Sequence, residues 1–368
     1  MTALWSPLKH WLGRHVRTWQ AKRNRRAGRS EVNHPLRVIG IEPISACNLL
    51  CKFCAYKDHP RPRRVMSLER FADVVGQAVD LGFRHVDLTP LTGEVFMDHT
   101  LPEKWQILEQ EPRILSFSFT SNFLHASPAL IQQILGLRKL AYLGLSVYGH
   151  DLKTFAGITQ KGEAEFSRIL KNFRILAALA GQAGACPPLY VAWRSTRDFR
   201  PGQHRTVVSD VVDELRPLAT LGVHYSTAYN NWGGLVKPEH MKGLNVDMRS
   251  GREISRVGVC TQLVGRVLVM ADGRVNACAC RDALGALNIG DLATEPLSRI
   301  VSGHNPRWRA LIEEQRQDHY PPICQACDFF LSAHAVGSLG QDPTTTKAFA
   351  RLSLPEALAL LDQIKRNK

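Results

Sequence analysis

No stretch of the 368 residues is apolar for long enough to span a bilayer, which excludes a helical integral membrane protein. The N-terminal segment has neither an uninterrupted apolar core nor a small-residue cleavage site, so a secretory signal peptide is not expected. Internal repeats and low-complexity segments are absent, which argues against a solenoid or a disordered linker protein. What remains is an ordinary globular composition, 44% hydrophobic and 22% charged, in a chain long enough for a large core and two domains. Nine cysteines without export signals point to a reducing compartment, and to metal or redox use rather than disulfides. The expected location is the cytoplasm.

Acidic residues are missing altogether from positions 1–30, which hold eight of the cations: Lys9, Arg14, Arg17, Lys22, Arg23, Arg25, Arg26 and Arg29. Of the net +14, these eight leave only +6 for the other 338 residues. Positive charge is thus a property of the tail, and nucleic acid is not the expected partner. Ser6-Pro7 is a good helix start and Gly28 a good stop. Between them Leu8, Trp11, Leu12, Val16 and Trp19 share one face at helical spacing, with His10, Arg14 and Arg17 turned away. Such a helix suits the interface of a membrane, at the inner face of the cell. The alternative is a helix packed on the protein's own second domain, or a partly ordered basic tail. Peripheral membrane contact is expected through residues 6–27.

Three cysteines, Cys47, Cys51 and Cys54, fall within eight residues at C-x3-C-x2-C spacing, with Phe53 just before the last. Three thiolates on one loop hold three irons of a 4Fe–4S cube and leave the fourth open to a ligand. Cysteine pairs at this spacing also make zinc sites, but zinc usually takes four ligands. No fourth cysteine is near, and His59 is the closest histidine. The run resembles that of the radical S-adenosylmethionine (SAM) enzymes. In that family the open iron chelates SAM, and an electron from the cluster splits it to a 5′-deoxyadenosyl radical. An external donor such as flavodoxin or ferredoxin supplies that electron.

From residue 36 apolar strands alternate with amphipathic helices. The strands are expected at Arg37–Pro43, His85–Thr89, Leu115–Thr120, Tyr142–Val147, Leu189–Trp193 and Val223–Tyr229. The helices are expected at Ser67–Leu81, Leu101–Gln110, Pro128–Leu137, Glu163–Ala180 and around His204–Leu221. Alternation with short linkers predicts an α/β fold with a parallel sheet. Six units match the partial (β/α)6 TIM-like barrel of the resemblance, whose active site lies at the C-terminal strand ends. The expected division is a basic amphipathic tail at 1–35, the barrel at 36–235, a smaller domain at 236–335 and a helical tail at 336–368. That smaller domain is rich in turns. It has strands at Arg266–Met270 and Arg274–Ala277 around an Asp272-Gly273 hairpin, and a helix near Leu297–Glu313. A closing helix is expected at Leu354–Ile364.

Strand ends carry further points of resemblance. Leu91-Thr92-Gly93-Glu94 is similar to the family's Gly-Gly-Glu motif, with Thr92 in place of the first glycine, which implies that Gly93 and Glu94 contact the SAM amine. Thr120-Ser121-Asn122 and Ser146 in Leu145-Ser146-Val147-Tyr148-Gly149 imply contacts to the SAM carboxylate or ribose through Ser121, Asn122 and Ser146. Tyr148 stands where relatives carry an acid. Arg194 offers a guanidinium for the carboxylate, or a rim ion pair. Phe53 and Tyr56 would flank adenine. Asn230, Asn231 and Trp232, before Gly233-Gly234, are candidate substrate contacts, or a structural turn.

A second set, Cys260 and Cys278 with Gly273 between them and then Cys324-x2-Cys327, resembles the SPASM/Twitch auxiliary-cluster domain. No cysteine follows Cys327, so the shorter Twitch form with one extra cluster is implied. Cys260, Cys278, Cys324 and Cys327 saturate a second 4Fe–4S cluster, and a saturated cube passes electrons rather than binding substrate. Cys280 competes with Cys278 for this role, and a four-cysteine zinc ribbon is the bland alternative. Cys186 fits neither set and reads as a buried apolar residue. The resemblance implies a radical SAM oxidoreductase that takes a hydrogen atom from a sugar, glycolipid or other small metabolite and passes an electron to the auxiliary cluster. One alternative is a peptide-modifying maturase. The short segment before the first strand, too small for a leader-binding domain, counts against it. The other is a zinc protein associated with nucleic acid, which the confinement of charge to the tail disfavours.

Overall fold

Apolar and polar residues alternate along the central strands, and the alternation decides which way each one faces. The structure, a computed structural model, describes residues 5–184, 186–337 and 351–364, with side chains from residue 13 onward. The side chains of Leu8, Trp11 and Leu12, and the ends of the expected C-terminal tail, lie outside the described residues. Six parallel strands run in chain order: β1 (Val38–Ile41), β2 (His85–Asp87), β3 (Ser116–Ser121), β4 (Leu140–Tyr148), β5 (Leu189–Arg194) and β6 (Val223–Ser226). On β3, Phe117 and Phe119 are fully buried under the helices, and the Phe119 ring stacks on Trp105 at 5.4 Å. The alternate residues Ser116, Ser118 and Thr120 face the other way, into the lumen. Opposite Thr120, β4 carries Gly144, where a Cβ would come within 2.5 Å of the Thr120 Oγ1.

The helices between strands follow from local signals. Ser67 caps the helix Leu68–Leu81 by accepting from the Arg70 N–H, and Gly82 ends it in the left-handed conformation with φ 103°. Phe71, Val74, Val75, Ala78 and Val79 form its buried stripe. Helices Leu101–Gln110, Pro128–Leu135, Glu163–Ala183 and Val207–Leu215 cover the other crossovers. A short helix not foreseen in the sequence, Leu152–Thr159, is started by an Asp151–Thr154 capping box.

Beyond the barrel lies the smaller domain, and it continues the same sheet. β7 (Val267–Val269) pairs parallel with β1, and β8 (Arg274–Asn276) and β9 (Asn288–Asp291) follow antiparallel, giving nine strands in all. The turn between β7 and β8 is the expected Asp272-Gly273 hairpin, with Gly273 at φ 92°. Two expected elements are split. Val223–Tyr229 breaks after Ser226, and Ala228–Tyr229 pairs instead with Asp247–Met248. The helix near Leu297–Glu313 is interrupted, because Asn305-Pro306 starts a new one: Asn305 caps Pro306–Arg316 by accepting from Arg307 and Trp308. Helix α1 (Trp5–Arg26) lies on the smaller domain, and Leu354–Gln363 closes the chain against it. Among the described residues no helix is long and apolar enough to cross a membrane.

Candidate active site between two cysteine loops

The chain leaves β1 into the loop that carries Cys47, Cys51 and Cys54, at the C-terminal end of the barrel strands. The loop is pinned from several sides. Leu50 and Lys52 donate to the carbonyls of Thr159 and Ile158, and Glu94 donates its backbone N–H to Ala46 at 2.8 Å. Gly93 is required at this contact: a Cβ there would stand 2.9 Å from the Ile44 carbonyl and 3.2 Å from that of Ala46. Burial pushes the thiols up, Cys54 to about 11 and Cys47 to about 12, where the Glu94 charge adds to the effect. Cys51 also rises, through burial and then through Cys47 and Cys54, with Arg194 acting against it. Backbone N–H groups of Leu49 and Asn48 favour the Cys47 thiolate, and that of Tyr56 favours Cys54.

Glu94 is buried and accepts from the Ser121 hydroxyl at 2.5 Å, the Asn122 N–H at 2.7 Å and the Phe96 N–H at 3.3 Å. Burial nevertheless pushes its carboxyl up to about 7. Asn122 continues the chain of contacts, donating from Nδ2 to Asn48 Oδ1 at 2.8 Å. The Nδ2 of Asn48, beside Cys47, is buried and unpartnered. Ser146 stands near the Tyr148 hydroxyl, and Arg194 lies 5.7 Å over the Phe53 ring. Among the described residues Arg194 has no carboxylate partner, so the alternative of a rim ion pair is not what is found. Tyr56 comes two residues after Cys54. It lies on the short helix Ala55–Asp58, and the rings beside Phe53 are Tyr148 at 5.6 Å and Tyr229 at 5.0 Å.

Sequence reasoning missed Glu42. It sits at the end of β1, wholly buried, in a bidentate pair with Arg61 from the far side of the cysteine loop. It also accepts from the N–H groups of Leu91 at 3.0 Å and Ala271 at 3.1 Å. One carboxylate thus ties the cysteine loop, the Gly93-Glu94 turn and the hairpin of the smaller domain. A charged residue just past an apolar strand was the available signal.

The second set comes together from distant segments. Burial pushes Cys260, Cys280 and Cys327 to about 12 and raises Cys278 and Cys324. Cys260, Cys278, Cys280, Cys324 and Cys327 influence one another's charge, which marks all five as neighbours. The Cys327 Sγ accepts from the Phe329 N–H at 3.2 Å, and the Cys324 Sγ from Gln315 Nε2 at 3.5 Å. Cys280 stands beside this group but faces a cavity, with the Arg281 guanidinium 3.4 Å from its Sγ. Arg281 pairs with the buried Asp328 at 3.1 Å and lies 4.8 Å over Phe329 and 5.8 Å over Trp232. Cys186 is half-buried, its thiol pushed up to about 11.

Of the expected substrate contacts, Asn231 is committed elsewhere: it donates to the Ala326 carbonyl at 2.7 Å and accepts from Gly233. It holds the turn against the Cys324–Cys327 loop. Asn230 is half-buried. Trp232 adopts φ 51° and keeps its buried Nε1 unpartnered, against Leu91, Leu268 and Met270.

A cavity of about 380 Å³ opens at the N-terminal ends of the strands, opposite the first cysteine loop. His85, Asp87, Ser116, Ser118 and Tyr142 form its barrel wall, and Arg266, Cys280 and Phe329 its other wall. Arg266 pairs with Asp87, and its buried Nε has no partner. Along β4 the path from Tyr142 to Ser146 is about 13 Å.

Both cysteine sites fit iron–sulfur cubes. Each has buried thiols that need a cation to become thiolates, and N–H groups aimed at sulfur. Among the described residues no three Cys, His, Asp or Glu side chains converge closely enough for a single metal ion, as a zinc site requires. Cubes hold their cysteines on separate irons and have no such requirement.

A family model of the radical SAM superfamily matches residues 41–181, and one of an iron–sulfur cluster-binding domain, SPASM, matches residues 260–328. Solved structures of similar fold include BtrN in complex with AdoMet and 2-DOIA (14% identity, TM-score 0.50, 80% of this chain and 98% of that one). Another is Streptococcus suis SuiB bound to precursor peptide SuiA (13% identity, TM-score 0.56, 82% and 72%). A third is native anSMEcpe with bound AdoMet (14% identity, TM-score 0.51, 89% and 97%). At these identities the likeness is one of fold. No curated protein matches the chain. With a barrel whose first loop carries the cysteine triad and a sheet extended by an auxiliary cysteine domain, the chain belongs to the radical SAM superfamily with a C-terminal SPASM/Twitch-type domain, and its cofactors are SAM, the SAM-binding 4Fe–4S cluster and auxiliary iron–sulfur chemistry.

Proposed function

We propose that this radical enzyme oxidises a hydroxylated small molecule, a sugar or the sugar of a glycolipid, held in the barrel lumen with its reacting carbon toward the SAM end at Ser146 and its far end in the cavity between barrel and smaller domain. The observation that carries the reading is the double wall of that cavity: polar strand residues on one side, the Cys280–Arg281 segment of the auxiliary cysteines on the other. When bound, the two clusters and SAM would supply hydrogen-atom abstraction from carbon and an acceptor for the electron left behind.

The chain's own residues do the rest. Cys47, Cys51 and Cys54 hold the first cluster, and Cys260, Cys278, Cys324 and Cys327 the second. Arg194 pairs with the SAM carboxylate. Glu94, whose burial favours the neutral form, would accept from the SAM ammonium, whose positive charge would favour the carboxylate. Gly93, Ser121, Asn122 and Ser146 shape the same pocket, and Phe53 with Tyr148 and Tyr229 excludes water from it. In the cavity, Ser116, Ser118 and Tyr142 offer hydroxyls to a polyol, and Asp87 with Arg266 fixes its orientation. His85, kept neutral by burial and by the Arg37 charge and 2.8 Å from the Ser116 hydroxyl, receives the substrate hydroxyl proton through the lumen hydroxyls as the carbonyl forms. An external reductant serves the first cluster, and a cytoplasmic setting suits both clusters. The division at residues 235 and 335 follows the two cysteine sites.

The test is an anaerobic preparation given dithionite, SAM and deuterated candidates, with polyols and peptides in separate arms. Deuterium from a polyol appearing in 5′-deoxyadenosine supports the reading. Transfer from peptides alone replaces it with peptide modification.

A further inference from the structure

We infer that α1 docks the protein on an anionic lipid bilayer, with Val16 and Trp19 entering the interface and Arg17, Arg23 and Arg29 receiving a lipid phosphate. This is independent of the reaction proposed above. The starting point is the face by which α1 is attached. Arg14, Thr18, Ala21 and Arg25 follow one another at spacings of four, three and four, one side of a helix. All four meet the smaller domain. Arg14 Nη1 donates to the Arg252 carbonyl at 2.8 Å, Thr18 Oγ1 to Ser255 Oγ at 2.8 Å, and Arg25 Nη1 pairs with Asp318 at 2.8 Å, while Ala21 is buried.

A surface helix ordinarily turns its apolar stripe onto its own protein. Here the body takes the polar side. Val16 and Trp19 are left 51% and 60% exposed, and Arg23 follows at the next turn of the same face. This is the reverse of packing on the second domain by the apolar face.

Beside this face is a cleft of about 260 Å³ lined by Arg17, Gln20, Arg23, Asn24 and Arg29. Asn24 shapes it by donating to the His334 carbonyl at 2.9 Å, and the His334 ring meets the Arg29 carbonyl at 2.8 Å. Among the described residues no carboxylate pairs with Arg17, Arg23 or Arg29. The Arg23 guanidinium lies 5.5 Å over the Trp19 ring, so charge and indole belong to one patch. Guanidinium forks match phosphate oxygens, and an indole next to arginine is suited to the headgroup layer. A second copy of this chain would bring the same unopposed positive charge to the contact. An anionic bilayer complements both the charge and the apolar pair.

The experiment is sedimentation of the full-length protein with vesicles of phosphatidylcholine, with or without phosphatidylglycerol. Binding is expected on the anionic vesicles only, and weakens as salt rises. The variant R17Q/R23Q/R29Q should lose about 100-fold in partition, and V16S/W19A about 10-fold. Both variants should retain 5′-deoxyadenosine formation, which shows that they fold. Equal binding to both vesicle types, unchanged binding by either variant, or a preference for duplex DNA over vesicles overturns the inference. So does release from the vesicles by inorganic phosphate at constant ionic strength, which assigns the cleft to a free anion. Dimerisation that W19A abolishes would make a second copy the occupant and sink it too.

Discussion

The two cysteine sites are built by opposite means. The first lies within eight residues of one loop, and its spacing is a local matter of how far a tight turn reaches. The second is gathered from positions 260 to 327, on a helix start, a hairpin exit and a short helix end. A short loop can present three ligands and leave a metal corner free. A site assembled from several segments can surround its cluster and close it. The difference supports the proposed division, with SAM at the first site and electron passage at the second. It also explains the cost of each: the loop must be braced from outside, by Glu42 and Glu94, whereas the assembled site is braced by the packing that creates it.

Removing a ligand from each site should break the comparison most sharply. Cys51→Ala should abolish 5′-deoxyadenosine formation and remove about four irons per chain, by iron assay and activity under anaerobic conditions. Cys324→Ala should keep SAM cleavage but lose oxidised product. If it loses both, the two sites do not divide the work as stated.

The bracing itself can be tested next. Glu42→Ala leaves the Arg61 charge and the N–H groups of Leu91 and Ala271 without their partner. It should cost about 3–5 kcal/mol in urea unfolding of the cluster-free protein. The double variant E42M/R61M should recover part of that loss.

A smaller effect is expected from Glu94. Its carboxyl rises from 4.5 to about 7 on folding. The folded state therefore holds the proton longer. Its contribution is fully present below pH 4.5 and is lost as pH climbs through 7, by about 3 kcal/mol at most. Unfolding of the SAM-free protein across that window should show the slope, and Glu94→Gln should flatten it. The least disturbance is expected from Cys280→Ser, which should leave the iron count unchanged where Cys278→Ser lowers it by about four.

Much of this was legible in the residues. Ser67, Gly82 and the stripe from Phe71 to Val79 mark their helix without help, because caps and periodicity are local. The same holds for the Asp272-Gly273 hairpin. Tyr148 and Tyr229 were not legible as neighbours of Phe53, since only the register of β4, and the break after β6, brings their rings there. The break after Ser226 was hidden for a similar reason: nothing in Val223–Tyr229 marks a stop, and the pairing of Ala228–Tyr229 with Asp247–Met248 depends on a partner nineteen residues away.

By itself, then, the chain's order of residues determined the alternating barrel, the triad's chemistry and the basic helix, all of which rest on spacings of a few residues. Only the tertiary structure decided that the smaller domain's hairpin extends the barrel sheet, that Glu42 joins three segments, and that α1 attaches by its polar side. Each of these depends on which surfaces are brought together over hundreds of residues. A local pattern specifies what a segment can bury, while the rest of the fold selects the surface it meets.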